Sequence, residues 1–189
     1  MAGMGGAGAL GGVASGGTTA GGGTAGVGGS WGACAMPSEC LLRPQSCCGT
    51  CRAAVRGDAI AIRIDEQGAY VRTYCENASC PECALPQDPT LLATCIAGTC
   101  SVADLLTLPL TACTSNQDCR LRYKGCCECG GATGSDSIIA LRIDAETDYA
   151  RLVCDPDQAC DDCISPLPAA ARAECFNGHC TVNAYPGTK

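Results

Sequence analysis

Ten cysteines in the first half of this chain return as ten in the second, and that duplicated spacing limits the fold more than any other feature. Cys34, Cys40, Cys47 and Cys48 recur 79 residues later as Cys113, Cys119, Cys126 and Cys127. Cys51 returns one residue early, as Cys129, and Cys75 returns at 79 as Cys154. Cys80, Cys83, Cys95 and Cys100 return at 80 as Cys160, Cys163, Cys175 and Cys180. The residues between them also agree. Leu42-Arg43 answers Leu121-Arg122, and the Ala61, Arg63-Ile64-Asp65, Tyr70 and Arg72 set answers Ala140, Arg142-Ile143-Asp144, Tyr149 and Arg151. Self-similarity at a fixed period marks a duplicated folding unit, here of about 67 residues.

Cysteine makes up 20 of 189 residues and aromatics only 4%, so covalent bridges are needed where a core of large side chains would otherwise hold the fold. Each bridge typically contributes about 2–4 kcal/mol. All twenty cysteines are therefore read as structural disulfide partners. An even count in each repeat lets each copy close its own bridges, which favours two independent modules, although ten cysteines permit roughly 900 pairings and spacing alone does not choose among them. Bridges at this density form in oxidising compartments, so the expected location is extracellular or anchored at the cell surface. No signal peptide is visible after Met1, and no run reaches the length of a membrane span.

The expected fold is a small disulfide-rich α+β arrangement of two tandem homologous modules, each with one main helix, a short helix and a C-terminal β-hairpin. Residues 1–32 hold 15 of the 25 glycines and read as a disordered, low-complexity stalk. The first module spans 33–102, an extended linker 103–112, the second module 113–183 and a tail 184–189. Apolar spacing predicts the main helices over 58–74 and 136–153, with Asp58 and Asp136 as candidate N-caps. The alternation Ile60, Ile62, Ile64 also fits a strand. Asp88-Pro89-Thr90-Leu91-Leu92-Ala93 and Pro168 to Arg172 read as the short second helices. Asn177-Gly178, and less favourably Ala97-Gly98, read as two-residue hairpin turns that set Cys175 opposite Cys180 and Cys95 opposite Cys100, for bridging across the ribbon or for joint anchoring to the helix. Alternating Leu106, Leu108 and Leu110 give the linker an extended character, limited to an edge by Pro109, from which it can pack the modules together.

Charge and motif content argue against most chemistries. A net charge of −7, with twelve bases scattered among nineteen acids, does not suit nucleic acid. The Cys-x-x-Cys pairs Cys48/Cys51, Cys80/Cys83, Cys126/Cys129 and Cys160/Cys163 have zinc-ligand spacing, but a four-thiolate site leaves six cysteines of each module unexplained. A redox-enzyme reading needs a βαβ context that is missing. Asp155, Asp157, Asp161 and Asp162 lack the glycine and terminal glutamate of a calcium loop. The single histidine, His179, falls in a hairpin with no catalytic partner, and Arg63 with Asp65, like Arg142 with Asp144, reads as surface charge. No enzyme class and no cofactor are expected. Asn77-Ala78-Ser79 is a glycosylation sequon.

The spacing Cys-x5-Cys-x6-Cys-Cys-x2-Cys from Cys34 to Cys51, with its counterpart from Cys113 to Cys129 and with Glu39 and Asp118 before the second cysteine, resembles part of the whey-acidic-protein four-disulfide core. The likeness covers about a quarter of each module and departs from that pattern in the 23-residue interval that follows. The whole arrangement of stalk, Cys-Cys pairs and a terminal Cys-x-x-Gly-x-Cys-x-Val, here Cys95 to Val102 and Cys175 to Val182, is similar to uncharacterised cysteine-rich lipoproteins of myxobacterial type. That similarity implies an exported or lipid-anchored envelope protein.

The leading expectation is thus a non-enzymatic interaction or structural protein, monomeric, whose partner is an envelope or extracellular protein or a glycan. The alternatives are cysteine-cluster zinc binding and serine protease inhibition. For inhibition the contact would come from the loop Arg120-Leu121-Arg122-Tyr123-Lys124-Gly125, with Arg122 or Lys124 as the primary contact, because a loop pinned by bridges loses little entropy on binding. Its counterpart, Leu41 to Ser46, carries Pro44 after Arg43.

Overall fold

The computed structural model of this chain describes residues 32–52, 55–80, 82, 88–128, 137–160 and 166–184. The Gly-rich segment up to residue 31 and residues 185–189 of the tail lie outside the described residues, as do Cys83, Cys129 and Cys163. The described chain is built from four antiparallel hairpins and a few short helical turns.

In the first half β1 (Cys40–Pro44) pairs with β2 (Ala59–Arg63), and β3 (Leu91–Ile96) pairs with β4 (Thr99–Asp104). In the second, β5 (Cys119–Tyr123) pairs with β6 (Ile138–Arg142), and β7 (Ala171–Phe176) with β8 (His179–Ala184). The registers match the repeat: Leu42 faces Ala61 as Leu121 faces Ala140, and Cys95 faces Cys100 as Cys175 faces Cys180.

The helices are shorter than the apolar spacing predicts. Residues 59–63 are strand β2, followed by a 3₁₀ turn over Ile64–Glu66, the four-residue α1 (Gln67–Tyr70) and a wider π turn over Val71–Cys75. In the second half, strand β6 precedes α2 (Glu146–Val153). The physical reason lies in Ile60 and Ile62, and in the run Ile138-Ile139-Ala140-Leu141. The β-branched side chains of Ile60, Ile62, Ile138 and Ile139 suit a pleated surface, and all four residues of the second run are buried, as in a strand covered on both faces. Asp58 does not cap a long helix. It ends a 3₁₀ turn, where its carboxylate accepts from the Val55 N–H at 2.9 Å and the Arg52 guanidinium at 2.8 Å. Asp136 lies outside the described residues.

The two short second helices are also strands. Asp88 turns the chain rather than opening a helix, since its carboxylate accepts from the N–H and hydroxyl of Thr90, at 2.8 and 2.7 Å. The chain then runs straight into β3, where Leu91, Leu92 and Thr94 are buried. The hairpin turns follow the sequence reading. Asn177 and Gly178 have φ of 50° and 82°, and Ala97 and Gly98 have 50° and 78°, both central residues positive as a type I′ turn requires.

The linker is not extended. Asp104 accepts from the Leu106 N–H at 3.0 Å and starts a 3₁₀ turn over Leu105–Thr107, and Pro109 starts another over Pro109–Thr111. These turns aim Leu105 and Leu110 inward. They join Leu92 and Ala103 of the first half and Ile139, Leu141, Ala145 and Tyr149 of the second in one apolar cluster. Fully burying a side chain of this size is worth about 1.5–3 kcal/mol. Hydrogen bonds also cross between the halves: the Thr94 hydroxyl donates to Leu152 O at 2.6 Å, and the Ser38 N–H and hydroxyl donate to Asp155.

Eight bridges are described. In the first half Cys34 joins Cys95, Cys40 joins Cys100, Cys47 joins Cys75 and Cys48 joins Cys80. In the second Cys113 joins Cys175, Cys119 joins Cys180, Cys126 joins Cys154 and Cys127 joins Cys160. Cys51 is also disulfide-bonded, and no described cysteine is free. The opposed hairpin cysteines bridge neither to each other nor to the helix. They are taken up by the segment before β1 or β5 and by the first residue of that strand. That segment lies against the hairpin tip, where Cys34 N–H donates to Gly98 O and Cys113 N–H to Gly178 O, each at 2.9 Å.

Candidate functional site

The segment Arg120 to Gly125, expected as a contact loop, is strand β5 as far as Tyr123, and its geometry is built around Arg122. Alternation along β5 puts Arg120 and Arg122 on one face of the strand. Arg122 is only 1% exposed. Its Nε donates to Tyr123 O at 2.8 Å, and one terminal nitrogen donates to Gly125 O at 2.8 Å and Cys126 O at 3.1 Å. The other terminal nitrogen pairs with Glu146 at the start of α2. The Tyr149 ring lies under the guanidinium, 4.4 Å from centroid to Cζ, and the Tyr149 hydroxyl donates to Lys124 O at 2.6 Å. Four successive carbonyls, from Tyr123 to Cys126, thus converge on one arginine and one tyrosine.

This arrangement reverses the expected role of Arg122. The loop wraps around the side chain instead of presenting it, and insertion of Arg122 into a protease pocket would strip it of every one of these partners. Lys124 is half-buried, and its N–H donates to Ser137 O at 2.8 Å. Burial pushes the Tyr149 hydroxyl well above the ordinary phenol range, with Arg122 opposing the shift. The tyrosine is therefore a neutral donor here, not an acid–base group. The first half repeats part of this: the Tyr70 hydroxyl donates to Pro44 O at 2.7 Å, while Gln67 stands where Glu146 stands in the second. Tyr149 and Glu146 organise the loop, and neither is among the candidate residues of the sequence. The signal available was the joint recurrence of Arg43 with Arg122 and of Tyr70 with Tyr149.

One cysteine of each Cys-x-x-Cys pair lies in a sulfur cluster: the Sγ atoms of Cys47, Cys48 and Cys80 fall within 4.8 Å of one another, as do those of Cys126, Cys127 and Cys160, while Cys83, Cys129 and Cys163 lie outside the described residues. All six are bonded in disulfides, and a disulfide sulfur is not the thiolate that zinc needs. Asp155 is engaged by Ser38, while Asp161 and Asp162 lie outside the described residues. His179 Nδ1 is 3.0 Å from the Thr111 hydroxyl, which itself donates to Leu105 O, so the ring ties the linker to β8. Asn77 of the sequon is exposed.

Two further features face solvent or the seam between the halves. A cleft of about 140 Å³ is lined by Pro89, Thr90, Leu105, Ile138, Cys180 and Val182 among others. The hydroxyls of Thr90 and of Thr111, another lining residue, bond within the protein, so the cleft presents apolar surface rather than an oriented polar group. At the hairpin tips Ile96 is 50% and Phe176 64% exposed, and the equivalent residues Ile64 and Ile143 after β2 and β6 are 57% and 56% exposed. Phe176 and Ile143 flank one turn, Asn116–Asp118. There Asn116 Oδ1 accepts from the Cys175 N–H and Asp118 O from the Ile143 N–H, each at 2.9 Å.

No protein-family model matches this chain, and no curated protein or solved structure matches it at a significant level. Among the described residues no helix is long and apolar enough to cross a membrane.

Proposed function

We propose that this chain is a non-enzymatic extracellular or cell-surface interaction protein, made of two tandem copies of one disulfide-rich module and displayed from a surface by its Gly-rich segment. The observation that carries this reading is the recurrence, in both halves, of one bridge pattern and one exposed apolar position at the hairpin tip, Ile96 and Phe176. Bridges formed this fully are consistent with an oxidising compartment. A rigid tip bearing an exposed aromatic supplies contact area at low entropic cost, which is how interface anchors work. The similarity in cysteine pattern and stalk to myxobacterial-type lipoproteins supports an envelope protein or glycan as the partner. Two such tips on one tether raise avidity through effective concentration.

The test is retention of the full chain on purified envelope or matrix material, compared with Phe176→Ser, Ile96→Ser and the double variant, with thermal melts run in parallel. The expected result is weaker retention for each single variant, loss in the double, and unchanged melting. Negligible retention of the parent chain, or equal retention of all four, would overturn the reading.

A further inference from the structure

In each half two bridges are stacked against each other, and they differ in access to solvent from a second stack nearby. Cys126 Sγ lies 3.9 Å from Cys160 Sγ although the two are bonded to Cys154 and Cys127 respectively. The Sγ atoms of Cys126, Cys127 and Cys160 all fall within 4.8 Å of one another, and those of Cys47, Cys48 and Cys80 repeat the arrangement. Cys160 and Cys80 are exposed and their neighbours half-exposed. A similar stack joins Cys113, Cys119 and Cys180, and another Cys34, Cys40 and Cys100. There the third sulfur is buried, Cys180 at 2% and Cys100 at 7% exposure, while Cys113, Cys119, Cys34 and Cys40 are half-exposed, so attack on Cys119 or Cys40 would have to expel a thiolate away from water.

We propose that the exposed stack of each half is a thiol-entry site, at which a small-molecule thiol exchanges the two bridges for their alternative pairing. In the second half the external thiolate attacks Cys127 Sγ, forming a mixed disulfide, and Cys160 leaves as a thiolate on the exposed side, where water solvates it. That thiolate is already in contact with Cys126 Sγ. It attacks there, forming Cys126–Cys160 and releasing Cys154 as a thiolate. Cys154 then attacks Cys127 Sγ in the mixed disulfide, forming Cys127–Cys154 and returning the external thiol. Two S–S bonds exist before and after, no electrons are gained or lost, and the thiol acts as a catalyst. The same sequence in the first half converts Cys47–Cys75 and Cys48–Cys80 into Cys47–Cys80 and Cys48–Cys75. Proximity makes the internal step effectively unimolecular, whereas in the other two stacks the leaving sulfur, Cys180 or Cys100, is buried and its thiolate would go unsolvated.

The test incubates the oxidised full-length chain with a catalytic amount of reduced glutathione at about pH 8, where small thiols are partly ionised. It quenches with acid, digests at low pH, and reads each pairing by fragmenting the backbone between Cys126 and Cys127 and between Cys47 and Cys48. The expected result is the alternative pairing at these two stacks with Cys34–Cys95, Cys40–Cys100, Cys113–Cys175 and Cys119–Cys180 unchanged. Unchanged pairing at the exposed stacks would overturn the proposal, and so would scrambling spread equally over all bridges. A Cys154→Ser variant removes the need for an external thiol, because Cys126 is then free beside Cys160. An alkylating label is expected to divide between Cys126 and Cys127, and label on Cys126 alone would count against the mechanism. Should that variant fail to fold, the exchange assay on the parent chain decides alone.

Discussion

Arg122 shows how one side chain can look functional in sequence and be structural in space. Its guanidinium sits where several carbonyls, a carboxylate and a ring face converge, so truncation leaves buried acceptors unpaired. Arg122→Ala is expected to lower unfolding free energy by about 2–4 kcal/mol, measured by chemical denaturation with bridges intact, while Lys124→Ala should change it by under about 1 kcal/mol. Asp118 supplies a second prediction at this scale. Its carboxylate accepts from the Thr114 N–H and hydroxyl and the Ser115 N–H, and these bonds, led by the Thr114 N–H, hold its pKa down at about 2. The unfolded value is about 3.9. Because the folded pKa is the lower one, the stabilisation is fully present above the unfolded value and is lost as pH falls from about 4 towards 2. Thermal melts over that range should therefore fall for the parent chain, and fall less steeply for Asp118→Asn.

At the scale of elements, the two C-terminal hairpins differ in how well their turns suit the backbone. Both need two successive residues at positive φ. Asn tolerates that region because its side chain bonds locally, whereas Ala gains nothing to offset the Cβ clash. Ala97→Asn is thus expected to stabilise the chain by about 0.5–1 kcal/mol, and Asn177→Ala to destabilise it by a similar amount, both readable as shifts in denaturation midpoint. The helix predicted over 58–74 fails for the complementary reason. Its apolar residues satisfied a helical spacing, but Ile60 and Ile62 also satisfied an alternation, and pairing with β1 across Leu42 and Ala61 decided for the strand.

For the whole molecule, the turns of 105–111 matter most, because they feed Leu105 and Leu110 into a cluster that draws on both halves. Shared burial couples the halves energetically even though every described bridge stays within one half. Calorimetry of the oxidised chain is expected to show one cooperative transition, and Leu105→Ala to lower its midpoint as a single unit, at about 2–5 kcal/mol. Two separate transitions, with only one moved by Leu105→Ala, would contradict that coupling. The cysteine balance gives a further expectation. Cys51 and Cys83 remain in the first half once the four described bridges are set aside, and Cys129 and Cys163 in the second. Peptide mapping should recover Cys51–Cys83 and Cys129–Cys163, and thiol labelling under denaturant should find nothing to label.

The sequence by itself determined the covalent character of this protein. Even, duplicated cysteines at matched spacing favour bridges within each copy, a scarcity of aromatics makes bridges necessary, and Asn177-Gly178 names its turn, because each of these depends on local chemistry or on counting. Tertiary structure alone decided which cysteines pair, whether Ile60 and Ile62 lie in a strand, and whether Arg122 points out or in. Those outcomes turn on which groups meet across long separations. Cys40 finds Cys100 because the segment before β1 lies along the hairpin tip, and Arg122 turns inward because Tyr149 and Glu146, more than twenty residues away in sequence, arrive on α2 to receive it.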